Sequence, residues 1–193
     1  MQVAFIGNFI PNFSTENDRL WSLQMLGVNV IKFQENKTTA EELLSIKPDA
    51  LFYSHTHDPS YCIQDLLEVF KIYKDWKIPT ASIHLDRWAG LARQSDMGKE
   101  ATWFTQYQFM ADGSPEAEKL YDDLHLNWFY SKPGVIARDC YMAAADPIRF
   151  PHPIVFIGSK GYHSEYPFRP LLVDFLAKTY GSSFGHYGND GLG

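Results

Sequence analysis

The feature that most constrains this chain is a short apolar strand that stops on glycine and leads into a helix, a unit that recurs along the sequence. Gln2-Val3-Ala4-Phe5-Ile6 runs into Gly7-Asn8 as a buried parallel strand runs into its turn. After the loop 9–14, the segment from Thr15 to Leu26 carries Leu20, Leu23 and Leu26 with Trp21 and Met25. It closes at Gly27 before Val28-Asn29-Val30-Ile31-Lys32-Phe33. Strand, helix, glycine stop and strand is the order of a parallel crossover unit.

The unit repeats. Thr38 to Ile46 reads as a helix in which Thr39 and Glu42 offer a capping box, and Pro48-Asp49 leads into the strand Ala50 to Ser54. An amphipathic helix follows from Tyr61 to Trp76, with Ile63, Leu66, Leu67, Phe70 and Tyr73 on one face, then a strand from Ile78 to Asp86 that ends on charge. Tyr107 to Met110 reads as a strand, Pro115 to Leu124 as a helix begun by Ser114 with proline at its first position, and Leu126 to Tyr130 as a sixth strand. Alternation of this kind predicts an α/β, Rossmann-like domain with a mostly parallel sheet covered on both faces, here residues 1–135.

From Pro133 to Pro153 the rhythm breaks, with Pro133-Gly134, Ala143-Ala144-Ala145, Asp146-Pro147 and His152-Pro153, so residues 136–153 read as an interdomain crossover. Ile154-Val155-Phe156-Ile157-Gly158-Ser159 then repeats the logic of the first strand, Phe168 to Tyr180 is an amphipathic helix, and Ser183 to Gly188 a closing strand. One strand, helix and strand do not cover their own sheet. Residues 154–193 are therefore expected to be the start of a second Rossmann-like domain, whose remainder is missing or comes from another chain.

Composition narrows the partners. With 193 residues and 45% hydrophobic content the chain has material for a proper core. Its net charge of −6, with no run of Lys or Arg, gives no support for a grip on a phosphate backbone. Cys62 and Cys140 lack metal-like spacing and the start lacks a secretory signal, so a reduced, cytoplasmic setting is expected. No stretch approaches the roughly 20 apolar residues of a membrane span, and no membrane association is expected.

In open α/β sheets the ligand crevice lies beyond the carboxyl ends of the strands. Those ends carry Gly7 and Asn8, then Ser54-His55-Thr56-His57-Asp58, then His84-Leu85-Asp86-Arg87-Trp88, then Asp112-Gly113. Asp86 leaves an apolar strand directly into a glycine-containing loop, where it could deprotonate an acceptor hydroxyl. Equally, it could cap the next helix or pair with Arg87 or Arg93. His84 is either a second polar contact or a satisfied core histidine. His55, His57 and Asp58 share residue types with zinc sets, but third and fourth ligands have no evident source and Pro59 follows. No metal or cofactor is expected, and contact with an acceptor or a solvated loop fits these residues better. Gly158-Ser159-Lys160-Gly161 after a buried strand, with Arg169 at the start of the following helix, is an arrangement able to hold a phosphate. It is also the form of an ordinary strand-to-helix loop.

Taken together, Ser82 to Leu91, Met110-Ala111-Asp112-Gly113, Lys132-Pro133-Gly134-Val135, and Val155 to Ser159 with Tyr162-His163 and Phe168-Arg169-Pro170 give the chain its resemblance to a family. It resembles glycosyltransferases of the GT-B type, particularly phage-encoded members and the CgeB-like spore-maturation group. The resemblance implies a nucleotide-sugar donor such as UDP-glucose, held mainly by the C-terminal domain, and an acceptor bound mainly by the N-terminal domain. It implies hexosyl transfer in the cleft between them without a metal. By position, Gly158, Ser159, Lys160 and Arg169 would face the donor. Gly7, Asn8, His55, His57, His84, Arg87, Trp88 and Asp112 would face the acceptor. Asp86 is similar to the catalytic carboxylate after the fourth strand of the phage DNA β-glucosyltransferases, which implies an inverting reaction. The family's donor ribose and base contacts fall beyond residue 193, so this chain by itself is expected to be inactive or very weak. The acceptor is left open between a modified DNA base, a glycan and a small molecule.

Two rival readings stand beside this one. The first is a non-catalytic nucleotide- or small-ligand-binding module. A receiver domain would need an acidic cluster after strand one, where Gly7-Asn8-Phe9 has none, and a cobalamin domain would carry a D-x-H-x-x-G loop that the sequence lacks. The second is an interaction domain whose incomplete half-sheet pairs with a partner.

Overall fold

The computed structural model describes residues 1–12, 14–35, 37–54, 63–132, 134, 151–161 and 167–188. The chain divides into two compact units, Met1–Asp139 and Cys140–Gly193. The crossover expected at 136–153 lies almost wholly outside the described residues, as do His55 and His57.

The first unit is an α/β domain of Rossmann-like build around a six-stranded parallel sheet. Its strands are β1 (Gln2–Gly7), β2 (Asn29–Gln34), β3 (Ala50–Ser54), β4 (Thr80–His84), β5 (Tyr107–Met110) and β6 (Trp128–Tyr130). Its helices are α1 (Thr15–Met25), α2 (Ala40–Leu44), α3 (Ile63–Asp75) and α4 (Pro115–Asp123). The strand order is β2-β1-β3-β4-β5-β6, so the direction of winding reverses between β1 and β3. That reversal is the topological switch point at which such sheets open a crevice at their carboxyl edge.

Local chemistry fixes the elements. Gly27, at φ +76°, takes the left-handed conformation that ends α1. Ser114 accepts from the Ala117 N–H at 3.3 Å and Pro115 opens α4. At α2 both halves of the capping box form: Thr39 Oγ1 accepts from the Glu42 N–H at 3.2 Å, and Glu42 Oε2 accepts from the Thr39 N–H at 2.8 Å. Thr39→Ala is expected to lower stability by about 1 kcal/mol, read from the urea midpoint.

Two apolar clusters hold the sheet to its cover. Ala4 and Ile6 of β1, Leu51 and Tyr53 of β3, and Leu66, Val69, Phe70 and Tyr73 of α3 enclose Leu43 of α2. Met110 of β5, Ala117 and Tyr121 of α4, and Trp88, Ala89 and Trp103 from the β4–β5 connection form the other. That connection is built of two 3-10 turns, Ala92–Asp96 and Ala101–Phe104, which carry Trp103 into the core.

The second unit contributes β7 (Ile154–Ile157), α5 (Phe168–Tyr180) and β8 (Phe184–Tyr187), with β7 and β8 parallel. Val173 and Phe184 are buried, whereas Ile157, Phe168, Leu171 and Phe175 are exposed. Parallel sheets are ordinarily covered on both faces, and this two-stranded one carries a single described helix.

Candidate functional site

A cleft of about 280 Å3 opens at the carboxyl edge of the first sheet. Its floor comes from the ends of three strands, with Ile83, His84 and Leu85 at β4, Ala111 after β5, and Ser131, Lys132 and Gly134 after β6. Its wall is α1, through Thr15, Asp18, Arg19 and Ser22. These four stand at i, i+3, i+4 and i+7, the spacing that places side chains on one helical face. On a helix packed against a core that face would be apolar.

The start of α1 is clasped over the β1 turn. Asn17 Nδ2 donates to the carbonyls of Phe9 at 3.1 Å and Pro11 at 2.8 Å, while Ser14 Oγ caps the helix by accepting from the Asn17 N–H at 3.1 Å. Gln34, at the end of β2, holds the same loop: its Oε1 accepts from the Phe9 N–H at 2.9 Å and its Nε2 donates to Asn8 Oδ1 at 3.2 Å. Asn8 thus organises the turn. Gly7 makes room for α1, since a Cβ there would stand 2.5 Å from Glu16 Cγ. Glu16, 6% exposed, accepts a hydrogen bond from Ser54 Oγ at 2.7 Å, and Arg19 Nη1 donates to the same hydroxyl at 3.5 Å. Burial pulls the Arg19 guanidinium below its ordinary pKa, and the charge of Glu16 pulls the other way. A guanidinium stays protonated through such a shift.

Behind the cleft floor lies a buried polar network. The amide of Gln108 is oriented by its Nε2, which donates to the carbonyls of Thr102 and Thr105, each at 3.2 Å, and to Thr105 Oγ1 at 2.9 Å. Its Oε1 therefore accepts, and His84 Nε2–H donates to it at 2.7 Å. The imidazole is fully buried and stacked on Trp103, ring centroids 4.0 Å apart. Desolvation pushes its pKa down to about 4, with the Gln108 hydrogen bond opposing and Arg19 assisting, so His84 is neutral near pH 7. Of the two readings of His84, the side chain takes the core one.

The loop after β4 is tied by charge. Asp86, two residues past the strand, meets Arg93 Nη1 at 3.2 Å, and it is not among the cleft-lining residues. Of the readings open for Asp86, pairing with Arg93 is the one that forms. Arg87 Nε donates to the Ala89 carbonyl at 3.0 Å and lies 3.7 Å from Asp112 Oδ2, while Asp112 Oδ1 accepts from the Ser114 N–H at 3.0 Å. These contacts brace the loops after β4 and β5 against each other. Trp88 corrects an expectation: only 1% exposed and edge-on to Trp103 at 4.9 Å, it is core and has no surface to offer an acceptor.

In the second unit, the backbone of Gly158 is already committed. Its N–H donates to the Tyr187 carbonyl at 2.8 Å, and its carbonyl accepts from His186 Nε2 at 2.7 Å. A phosphate at this turn would have to use other donors. Arg169 Nη1 reaches the Ser159 carbonyl at 3.5 Å, and Lys160 forms an ion pair with Asp174.

Thr15, Asp18, Arg19, Ser22 and Ser131 are cleft residues that strand-end reasoning passed over, and Lys132 entered it only through the family resemblance. The signal for the helical set was present as a polar stripe at helical spacing in a segment read for its leucines. Among the described residues, no group of three or more His, Cys, Asp or Glu side chains is gathered to hold a metal. No described helix is long and apolar enough to cross a membrane.

Fold and site together define a parallel α/β protein of Rossmann-like build with a polar cleft at the carboxyl edge of its sheet. No protein-family model matches the chain, and no curated protein matches it.

Proposed function

We propose that the chain belongs to a glycosyltransferase, with the cleft of the first unit as the acceptor site and a nucleotide-sugar donor held by the second. The observation that carries the reading is the cleft itself. It lies at the edge where parallel α/β sheets hold ligands, and hydroxyl, carboxylate and cationic groups line it, a set suited to a hydroxyl-rich molecule. The second unit supports it by repeating the strand, glycine turn and helix order, with Arg169 held over the turn. Its exposed Ile157, Phe168, Leu171 and Phe175 ask for further elements to complete a donor domain. In this reading Asp86 is the base. It must exchange Arg93 for the acceptor hydroxyl, which then attacks the anomeric carbon as the nucleoside diphosphate leaves.

A second reading, a ligand-binding module without chemistry, is favoured by the Asp86–Arg93 pair and by the absence of Asp86 from the cleft lining. Release of UDP from UDP-glucose by the full-length gene product separates the two. Glycosyl transfer expects Asp86→Ala to lower turnover by about 100-fold or more with circular dichroism unchanged. Unchanged turnover would remove Asp86 from the mechanism, and no turnover across a panel of nucleotide-sugars would favour the module.

A further inference from the structure

We infer that the ligand of this cleft carries a phosphate, held by Arg19 of α1 and Lys132, two residues after β6. The inference rests on reading the cleft as the ligand site and deepens it by naming a substrate class, a small phosphorylated molecule.

Arg19 carries the argument. A guanidinium presents five N–H donors. Among the described residues its hydrogen bonding amounts to one 3.5 Å contact with Ser54 Oγ. Glu16, the nearest acid by its effect on Arg19, spends an oxygen on Ser54 at 2.7 Å and acts on Arg19 as a neighbouring charge. A partly desolvated cation with donors left over, on the wall of a cleft, is suited to an oxyanion. Lys132 supplies a second cation from the strand-end floor, and the hydroxyls of Thr15, Ser22 and Ser131 share the lining, that of Ser22 already donating to the Asp18 carbonyl.

The donor count separates the candidate anions. The two-pronged fork of Arg19, Lys132 and the hydroxyls of Thr15 and Ser131 offer more donors than the roughly four lone-pair sites of a carboxylate, and they suit the three terminal oxygens of a phosphate monoester. A neutral sugar would offer the spare donors of Arg19 no charged acceptor. Asp18 also lines the cleft and places a negative charge beside the site, which disfavours a ligand with a second anionic group there. The volume of about 280 Å3 sits at the small end of ligand sites and suits one small molecule better than a polymer.

The test is a 1H–15N NMR titration of the whole chain with glucose 6-phosphate, inorganic phosphate, gluconate and glucose, at ionic strength fixed with sodium chloride. Glucose 6-phosphate and inorganic phosphate are expected to shift the amides of Thr15 to Ser22 and of Ser131, Lys132 and Gly134, gluconate to bind more weakly, and glucose not to bind. Arg19→Lys keeps the charge and loses the fork. Lys132→Gln alters an exposed side chain and leaves the fold intact. Each is expected to weaken glucose 6-phosphate binding about tenfold or more. Binding of glucose as tightly as its phosphate would overturn the phosphate assignment while leaving the cleft a ligand site. Affinities unchanged in both variants, shifts confined to other surfaces, or no binding by either phosphate would overturn it as well. Nucleotide-sugar turnover is read in a separate assay, so a failure of glycosyl transfer is distinguishable from a failure of phosphate binding.

Discussion

Trp103→Ala is expected to lower the stability of the first unit by about 3–5 kcal/mol, measured as the shift in the urea midpoint followed by circular dichroism. The indole lies on a 3-10 turn but is only 6% exposed. It stacks on His84 at 4.0 Å and meets Trp88 edge-on at 4.9 Å. Truncation removes both contacts, opens a cavity beside a buried imidazole, and loosens the Gln108 network that orients it. Such a loss is a large share of the roughly 5–15 kcal/mol that keeps a domain folded. Trp103→Phe, which keeps a ring against His84, should lose much less. A loss below about 1 kcal/mol for the alanine variant would mean that the cluster does not organise the β4–β5 connection.

The second large effect is a loss of stability in mild acid caused by His84. Its pKa is about 4 in the folded chain against 6.5 when unfolded, because burial penalises the imidazolium. As pH falls below the unfolded value, the unfolded chain takes up the proton and the folded chain does not, so protonation draws molecules towards unfolding. Stability is full above about pH 6.5, falls as pH drops towards 4, and levels off below the folded value. The whole loss amounts to about 3 kcal/mol. Carboxylates titrate at the lower end of this window, so the reading is the difference between wild type and His84→Gln in urea midpoints at pH 7, 6 and 5. The variant should show a flatter profile between pH 7 and 5. An imidazole NMR titration with its midpoint near 6.5 in the folded chain would contradict the assignment.

Periodicity made most of the fold legible. β3, β5 and α5 fall at the residues their apolar pattern and flanking turn residues predict, and Thr39 and Glu42 cap α2 as their spacing requires. Strand β4 is shorter than its sequence promises: it ends at His84, so Asp86 stands in the loop. Apolar patterning marks a strand's existence better than its end, because the last residues lose ladder partners before they lose hydrophobicity. Strand order was not readable, since β2-β1-β3-β4-β5-β6 depends on which crossover goes to which side, and every crossover has the same local pattern. The 3-10 turns leave no mark in the sequence because Ala92–Asp96 and Ala101–Phe104 are too short to show a period.

The site was legible only in part. The strand ends point to the same edge of the sheet at which the cleft opens, but a lone side chain's direction is set by tertiary contacts. Trp88 turns inward because Trp103 and Met110 offer an apolar pocket, and Asp86 turns to Arg93, seven residues on. Arg19 is hard to single out in the sequence because Leu20 and Leu23 dominate the pattern of α1, while the polar stripe of the same helix forms the cleft wall.

That stripe also bears on how α1 is anchored. Met25 and Leu26, at the far end of the helix, are 68% and 80% exposed, and the cleft-facing positions carry polar groups. The helix is therefore fastened at its first turn, by the Asn17 clasp and the Glu16–Ser54 bond, more than along its length. A helix secured at one end opens at lower cost than one sealed by an apolar seam, as α3 is. A ligand that bridges α1 and the strand ends would add its binding free energy to the fastening of this one helix. Affinity in the cleft and order in α1 would then be two readings of a single equilibrium.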